Sequence, residues 1–429
     1  MSSLRGVDPR QILLESYRAA VAAADPLVIV PQYLPSPPRG RTLVIGAGKA
    51  AASMAAAVER HWPASADLSG LVITRYAHSL PTSRIRVIEA GHPVPDESGE
   101  TAAREILAQA SALGPDDLLL ALVSGGGSSL LSLPTGDVGM SDLKEVTRQL
   151  LICGAAIQEI NTVRKHLSSI QGGWLAAACR AQILALVISD VTGDDPTHIA
   201  SGPCAPDPTT FGDALEILAR YAVEPPVSVR RHLERGMAGG IAETPKPGDP
   251  VFGRTENRVI ATGHHSLEAA GEVFRAAGIT PVILGDSITG EASEVGKVMA
   301  ALAREVRTYG APFKPPVALI SGGECTVTVR ENGRGGRCTE FLLSVGVELA
   351  GMHAVHGIAA DTDGIDGSED NAGAVLAPDS LARAASLGLG AKQLLARNDA
   401  WQFFSGIGDL VMTGPTLTNV NDYRAILIL

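Results

Sequence analysis

The chain has 429 residues, of which 45% are apolar, 19% charged and only 4% aromatic, and its formal net charge is −11. This length exceeds what one hydrophobic core ordinarily serves, so two domains are expected. The acidic balance argues against a general nucleic-acid binder, whose footprint is basic, but leaves room for a small anionic ligand in a locally positive site.

The opening residues, "MSSLRGVDPRQILLESYRAA", lack the apolar core and cleavage pattern of a secretory signal. No apolar run approaches the ~18 residues of a membrane span. Cys153, Cys179, Cys204, Cys325 and Cys338 are odd in number and scattered, with no C-x-x-C spacing. They read as reduced thiols in a cytoplasmic protein.

Taken in chain order, short apolar strands alternate with longer amphipathic segments. "TLVIGAGKAAASMAAAVERHW" (42–62) is strand, Gly turn and Ala-rich helix; "LSGLVITRYA" and "RIRVIEAG" follow as strands. "SGETAAREILAQASAL" predicts a helix opening at Ser98 with Glu100 near its start. "DLLLALVSGGG" is a strand running into glycines. "NTVRKHLSSIQGGWLAAAC" predicts a helix capped by Asn161, and "QILALVISDVTGDDP" a strand ending in an acidic loop. The alternation predicts an α/β protein with a mostly parallel, Rossmann-like sheet domain.

"AETPKPGDPVFG" (242–253) breaks this pattern and is the expected junction between a first domain, 1–241, and a smaller mixed α/β domain, 254–429. Within the second, "ECTVTVRENG" ends in Asn-Gly, a hairpin signal. "TNVNDYRAILIL" reads as a last strand that could rejoin the first domain. "LLLALVSGGGSS" and "PPVALISGGECT" both run from strand into Ser-Gly-Gly, suggesting one such loop per domain facing a shared cleft.

Ligands of open α/β sheets bind beyond the carboxyl ends of the strands, and five loops fall there: 46–50, 124–129, 189–196, 321–325 and 360–367. In Ser124-Gly125-Gly126-Gly127-Ser128-Ser129, glycines let backbone N–H groups close on a phosphate and serines add donors. Gly46-x-Gly48 fits a loose dinucleotide pattern, but the next strand ends in Thr74 and Arg75, with no acid for a ribose. Lys49 is a cation at a helix start, where the dipole disfavours it, and so is expected to face an anion. Asp190, Asp194 and Asp363 are candidate ligands for Mg²⁺ or another divalent cation, and Asp190 is also a candidate base. Arg164, Lys165 and Arg337 supply further cations, Arg337 among glycines that suit a mobile tip. The inventory points to phosphoryl transfer.

The chain resembles the glycerate 2-kinases, which pair an N-terminal glycerate-kinase domain with a C-terminal MOFRL domain. The resemblance is carried by "GAGKAA" (46–51), "SGGGSSLL" (124–131), "INTVRKHLSSIQGG" (160–173), "SDVTGDDPTHIASGP" (189–203), "SGGECTVTV" (321–329), "GRGGR" (333–337), "DTDGIDG" (361–367) and "GPTLTNVND" (414–422). It implies a cytoplasmic kinase that uses ATP and a divalent metal to phosphorylate the 2-hydroxyl of (R)-glycerate in an interdomain cleft. Lys49 and Arg337 match the residues thought catalytic in the family. Glu324, in the Ser-Gly-Gly-Glu loop, is expected at the substrate with Arg164 and Lys165. The family usually reads Asn-Gln where Cys338-Thr339 stand here, and a basic residue is common in place of Trp174. Partners are then small molecules only, glycerate and ATP, with neither nucleic acid nor membrane, and a homodimer is admissible. Similar proteins carry the name hydroxypyruvate reductase, so an NAD(P)H-dependent reductase built on Gly46-x-Gly48 is the alternative, and a non-catalytic metabolite-binding protein a third reading.

Overall fold

The computed structural model describes residues 8–429 and contains two compact units, 26–260 and 8–25 with 261–429. In the first, β1 (Thr42–Ala47), β2 (Leu68–Arg75), β3 (Ile85–Ala90), β4 (Leu118–Val123), β5 (Gln182–Ile188) and β6 (Thr255–Ala261) form an all-parallel sheet in the order β3-β2-β1-β4-β5-β6. β1 and β4 are buried at every position, as expected of central parallel strands covered on both faces. This order places the topological switch between β1 and β4, where the glycine loops leave the sheet.

The second unit adds β7 (Thr280–Gly285), β8 (Gly290–Glu291), β9 (Val317–Ser321), β10 (Cys325–Thr326), β11 (Val355–Asp361), β12 (Gly373–Leu376), β13 (Leu410–Val411) and β14 (Asp422–Ile428). Six of them form a mixed sheet, β13-β12-β11-β14-β9-β7, in which β7 and β9 run parallel and the other pairs antiparallel. The helix Pro9–Ala22 packs Ile12, Leu13 and Tyr17 against Leu267, Phe274, Ile320 and Tyr423 on one face of this sheet.

Several expectations are corrected. The units do not divide at 242–253: Thr244 and Lys246 bond to Asp207 and Thr209, Arg254 bonds to Cys179, and β6 completes the first sheet. The N-terminal helix belongs with the second unit, because its apolar face finds its cover there. β14 does not rejoin the first sheet but lies between β11 and β9. The Asn332-Gly333 hairpin does not form; β10 pairs in parallel with β8, and a Cβ on Gly333 would meet the Arg397 carbonyl. Asn161 lies inside the helix Ile157–Lys165, whose first turn is tied back by Glu159 to the N–H of Ala156. Asp96, not Ser98, caps Glu97–Ser111 by accepting from Gly99 N–H.

Candidate active site

The sequence delivers the 48–50 and 124–128 loops to the switch point by ending β1 and β4 in glycine-rich turns. They are laced together by their own backbones. Lys49 N–H donates to Gly125 O at 2.8 Å, Ala50 N–H to Ser124 Oγ at 3.1 Å, and Ser124 N–H to Ala47 O at 3.1 Å. The glycines are demanded first by this packing. A Cβ on Gly46 would lie 2.4 Å from Leu122 O, one on Gly48 2.5 Å from Ser124 O, and one on Gly127 2.5 Å from Ala200 Cβ. Gly126 adopts φ 81°, and its Cβ would fall 2.9 Å from the His92 ring and 3.4 Å from Lys49 Cγ. The imidazole and the lysine stem therefore flank the same α-carbon.

The serines divide in role. Ser124 is fully buried and spends its hydroxyl on Ala50; Ser129 returns its own to Gly126 O. Ser128 joins a side-chain cluster, with Ser201 Oγ 2.9 Å from Ser128 Oγ and 3.3 Å from Asn161 Oδ1. Gln171 Nε2 ties down the carbonyls of Ser128 and Leu131. Ser201 belongs to a loop in which Ala200 (φ 51°), Ser201 (φ 58°) and Gly202 (φ 58°) are successively left-handed. Such backbone persists only where its surroundings impose it.

Two cations of the helix Ile157–Lys165 have different fates. Lys165 is buried, 3.3 Å from Asp207 Oδ1, in a network with Thr209 and Thr244, so the structure gives it an internal structural partner. Arg164 is part-buried and forms neither hydrogen bond nor ion pair with a described residue; burial alone lowers its pKa to about 10.

In the second unit Arg337 opens the helix Arg337–Leu349. Nε donates to Asp422 at 2.7 Å, Nη1 to Glu324 at 2.9 Å and Nη2 to Asp361 at 2.6 Å. This is not the mobile tip expected from the flanking glycines. Burial opposes the charge, but the three carboxylates outweigh it and raise the guanidinium pKa well above its ordinary value. Asp422 also bonds Arg424 at 3.0 Å. Glu324 is the outermost partner, its side chain 54% exposed against 4% and 1% for Asp361 and Asp422. Asp366 holds the helix start, accepting from Cys338 N–H, Thr339 N–H and Thr339 Oγ1 at 2.7–2.9 Å. Burial raises its pKa to about 6 against these donors.

Residues 12–234 match the family described as "Domain of unknown function (DUF4147)", and 317–422 match the MOFRL family. A protein of Agrobacterium vitis, provisionally named a hydroxypyruvate reductase, is 53% identical over 98% of this chain and 95% of its own length. A glycerate 2-kinase of Pyrococcus horikoshii is 38% identical over 98% of this chain and 93% of its own. The crystal structure of glycerate kinase from Thermotoga maritima matches with a TM-score of 0.86 at 37% identity, covering 98% of this chain and 99% of that one. The chain belongs to the glycerate kinase family.

Within this glycerate kinase family chain, the metal expectation has no pre-built centre. Among the described residues no three His, Cys, Asp or Glu side chains form a group that could hold a metal ion. Asp190 and Asp194 follow β5 in the first unit, whereas Asp363 follows β11 in the second and accepts from Ile365 N–H. Among the described residues these side chains make no pre-assembled centre, which leaves one or two of them for a cation carried in by a nucleotide. Among the described residues no helix is long and apolar enough to cross a membrane. Cys338 and Thr339 are fully buried and give their N–H groups to Asp366. Trp174 lines a cavity of about 250 Å³ with His166, Phe211 and His232.

Sequence reasoning missed His92, Ser201 and the counter-ions of Arg337. His92 stands in "AGHPVP" just past the end of β3, a strand-end position that would have flagged it. The Asp361 and Asp422 contacts span 24 and 85 residues, and no local spacing announces them.

Proposed function

We propose that the protein transfers the γ-phosphoryl group of ATP to the 2-hydroxyl of (R)-glycerate, giving 2-phosphoglycerate. The observation that carries this reading is the near full-length similarity to proteins named glycerate 2-kinase, at 37–38% identity. The geometry is compatible with it. Lys49 emerges at the sheet's switch point beside the Ser124–Ser129 loop, the place where α/β sheets take phosphates. In this reading Lys49 offsets charge that grows on the transferring group, and the N–H groups of Gly125, Gly126 and Ser128 with the Ser128 hydroxyl serve the nucleotide, those of Gly127 and Ser129 being bonded within the loop. Asp190 accepts the proton of the glycerate hydroxyl, and Arg337, held by Asp361 and Asp422, offers Nη1 to an anion when the exposed Glu324 side chain gives way. ATP brings its own divalent cation, which needs only one or two protein carboxylates; Asp190, Asp194 and Asp363 stay candidates for that contact.

A reductase reading is supported by the name of the 53%-identical relative. Against it, β2 is the strand that should supply a ribose acid, and it ends in Thr74 and Arg75; Thr74 Oγ1 lies 3.5 Å from Lys49 O. Arg75 would suit only a 2′-phosphorylated cofactor. Incubation with (R)-glycerate and MgATP should release ADP and 2-phosphoglycerate. NADPH oxidation by hydroxypyruvate without any glycerate-dependent ADP would establish the reductase instead.

A further inference from the structure

We propose that Arg164 anchors the carboxylate of a small 2-hydroxy or 2-oxo acid, in a subsite bordered by Asn161, Ser201 and Ser128. This deepens the proposed function, on which it rests for the class of substrate. The starting point is the contrast along one helix turn. Lys165 is matched by Asp207, which also accepts from the Thr209 and Thr244 hydroxyls. Its neighbour Arg164 is part-buried, yet no described residue gives it a carboxylate, carbonyl or hydroxyl. Burying a cation without a counter-charge is costly, and a protein that keeps one has reserved it for an anion from solution.

The position identifies the surroundings. Asn161 stands three residues earlier, so it and Arg164 lie on neighbouring stripes of the helix surface. Asn161 is 3.3 Å from Ser201 Oγ, which is 2.9 Å from Ser128 Oγ in the loop after β4. That helix face is therefore set against the glycine loop. The segment that supplies Ser201, 197–202, carries further unmatched groups. Thr197 Oγ1 and His198 Nδ1 are buried without a hydrogen-bond partner, and Ala200 and Ser201 are left-handed. Unmatched buried polar atoms and left-handed non-glycine backbone in the segment that meets Asn161 fit a site built for a polar ligand.

The chemistry favours a carboxylate over a nucleotide phosphate. A guanidinium presents two parallel N–H donors at the spacing of a carboxylate's oxygens. The phosphates of a nucleotide already have Lys49 and the backbone of the glycine loop at the switch point.

The test uses the full chain, its Arg164→Met and Arg164→Lys variants, and calorimetric titration with (R)-glycerate, hydroxypyruvate, ATP and glyceramide separately. Arg164→Met should weaken binding of either acid by roughly 10- to 100-fold, the range for a lost charge-assisted pair. Arg164→Lys should recover part of that loss, and ATP affinity should stay within about twofold of the parent. Uncharged glyceramide, which keeps both hydroxyls, should bind parent and Arg164→Met equally weakly. Because the side chain has no partner among the described residues, Arg164→Met should melt no lower than the parent. Parent-like affinity for both acids, loss of ATP binding instead, or a lowered melting temperature would each overturn the assignment. If hydroxypyruvate binding depends on Arg164 while glycerate elicits no ADP, the kinase reading falls and the carboxylate subsite stands.

Discussion

Lys49 and Arg337 are both cations at glycine-flanked helix starts, but their settings predict different consequences of removal. Lys49 leaves a turn whose backbone is held by hydrogen bonds to Gly125 and Ser124. Lys49→Ala should therefore keep the parent's circular dichroism and melting temperature while kcat for glycerate-dependent ADP release falls roughly 10²-fold or more, as for loss of one transition-state donor. A variant within a few-fold of the parent would remove Lys49 from the chemistry. Arg337 instead neutralises two buried carboxylates, so Arg337→Met leaves Asp361 and Asp422 without their shared counter-ion. That variant should lose about 3–5 kcal/mol in urea unfolding as well as activity. Unchanged stability would mean that Arg424 alone suffices for Asp422. Asp366 adds a pH dependence. Its folded pKa of about 6 exceeds the ordinary 3.8, so the folded state holds this proton more tightly than the unfolded chain. The sign follows: its contribution to stability is greatest below pH 4 and is lost as pH rises to 6. Unfolding titrations of the parent and Asp366→Asn should show the parent losing about 3 kcal/mol relative to the variant across that window. A constant difference would place the Asp366 pKa at its ordinary value.

Between the helix Gly127–Leu130 and the 197–202 loop, packing is tight enough to predict an exchange of methyl groups. Gly127→Ala would set a new Cβ 2.5 Å from Ala200 Cβ, where neither backbone can yield cheaply. The single variant should be destabilised by about 1–3 kcal/mol, as overpacked sites are. Ala200→Gly removes the opposing methyl and also relieves a left-handed alanine, worth about 1–2 kcal/mol. The double variant should then recover most of the loss, read as a positive coupling in a thermal double-mutant cycle. Strict additivity would mean that the two loops do not touch in solution. The legibility of these elements was uneven. Strands β1 to β5 were plain in the sequence because apolar runs and glycine stops are local signals. Asn161 misled because Asn is a common N-cap, whereas here Glu159 secures the first turn and leaves Asn161 free to meet Ser201.

For the molecule as a whole, the division at 25/26 and 260/261 has a consequence for fragments. Residues 26–260 carry a complete parallel sheet with its own core and should fold alone with one cooperative transition. Residues 261–429 alone would expose the face that Ile12, Leu13 and Tyr17 cover. At about 1.5–3 kcal/mol per buried side chain, that loss exceeds half of an ordinary domain's stability. Tyr17 hydroxyl also donates to Asp361 O at 2.8 Å, just behind the carboxylate that holds Arg337. Fragment 261–429 should therefore bind a hydrophobic dye and lack a sharp melt, and fusing residues 8–25 to it should abolish the dye binding and restore the sharp melt. A sharp melt without those residues would make the helix dispensable.

The sequence by itself determined the class of the protein, the chain order of its strands and the positions of its glycine loops. Each of these is written in a window of a dozen residues: a hydrophobic run, a glycine stop, a cation after it. The tertiary structure alone decided which strands are neighbours, placing β6 on the first sheet and β14 inside the second. It also decided which charges are spoken for. Lys165 and Arg164 are adjacent in sequence and alike in type, yet Asp207, 42 residues away, matches one and no described residue matches the other. Arg337 reads as a loose cation among glycines until Glu324, Asp361 and Asp422 arrive from three strand ends. The reason is physical: a charge's role is set by the field and burial around it, and those come from residues that only folding brings near.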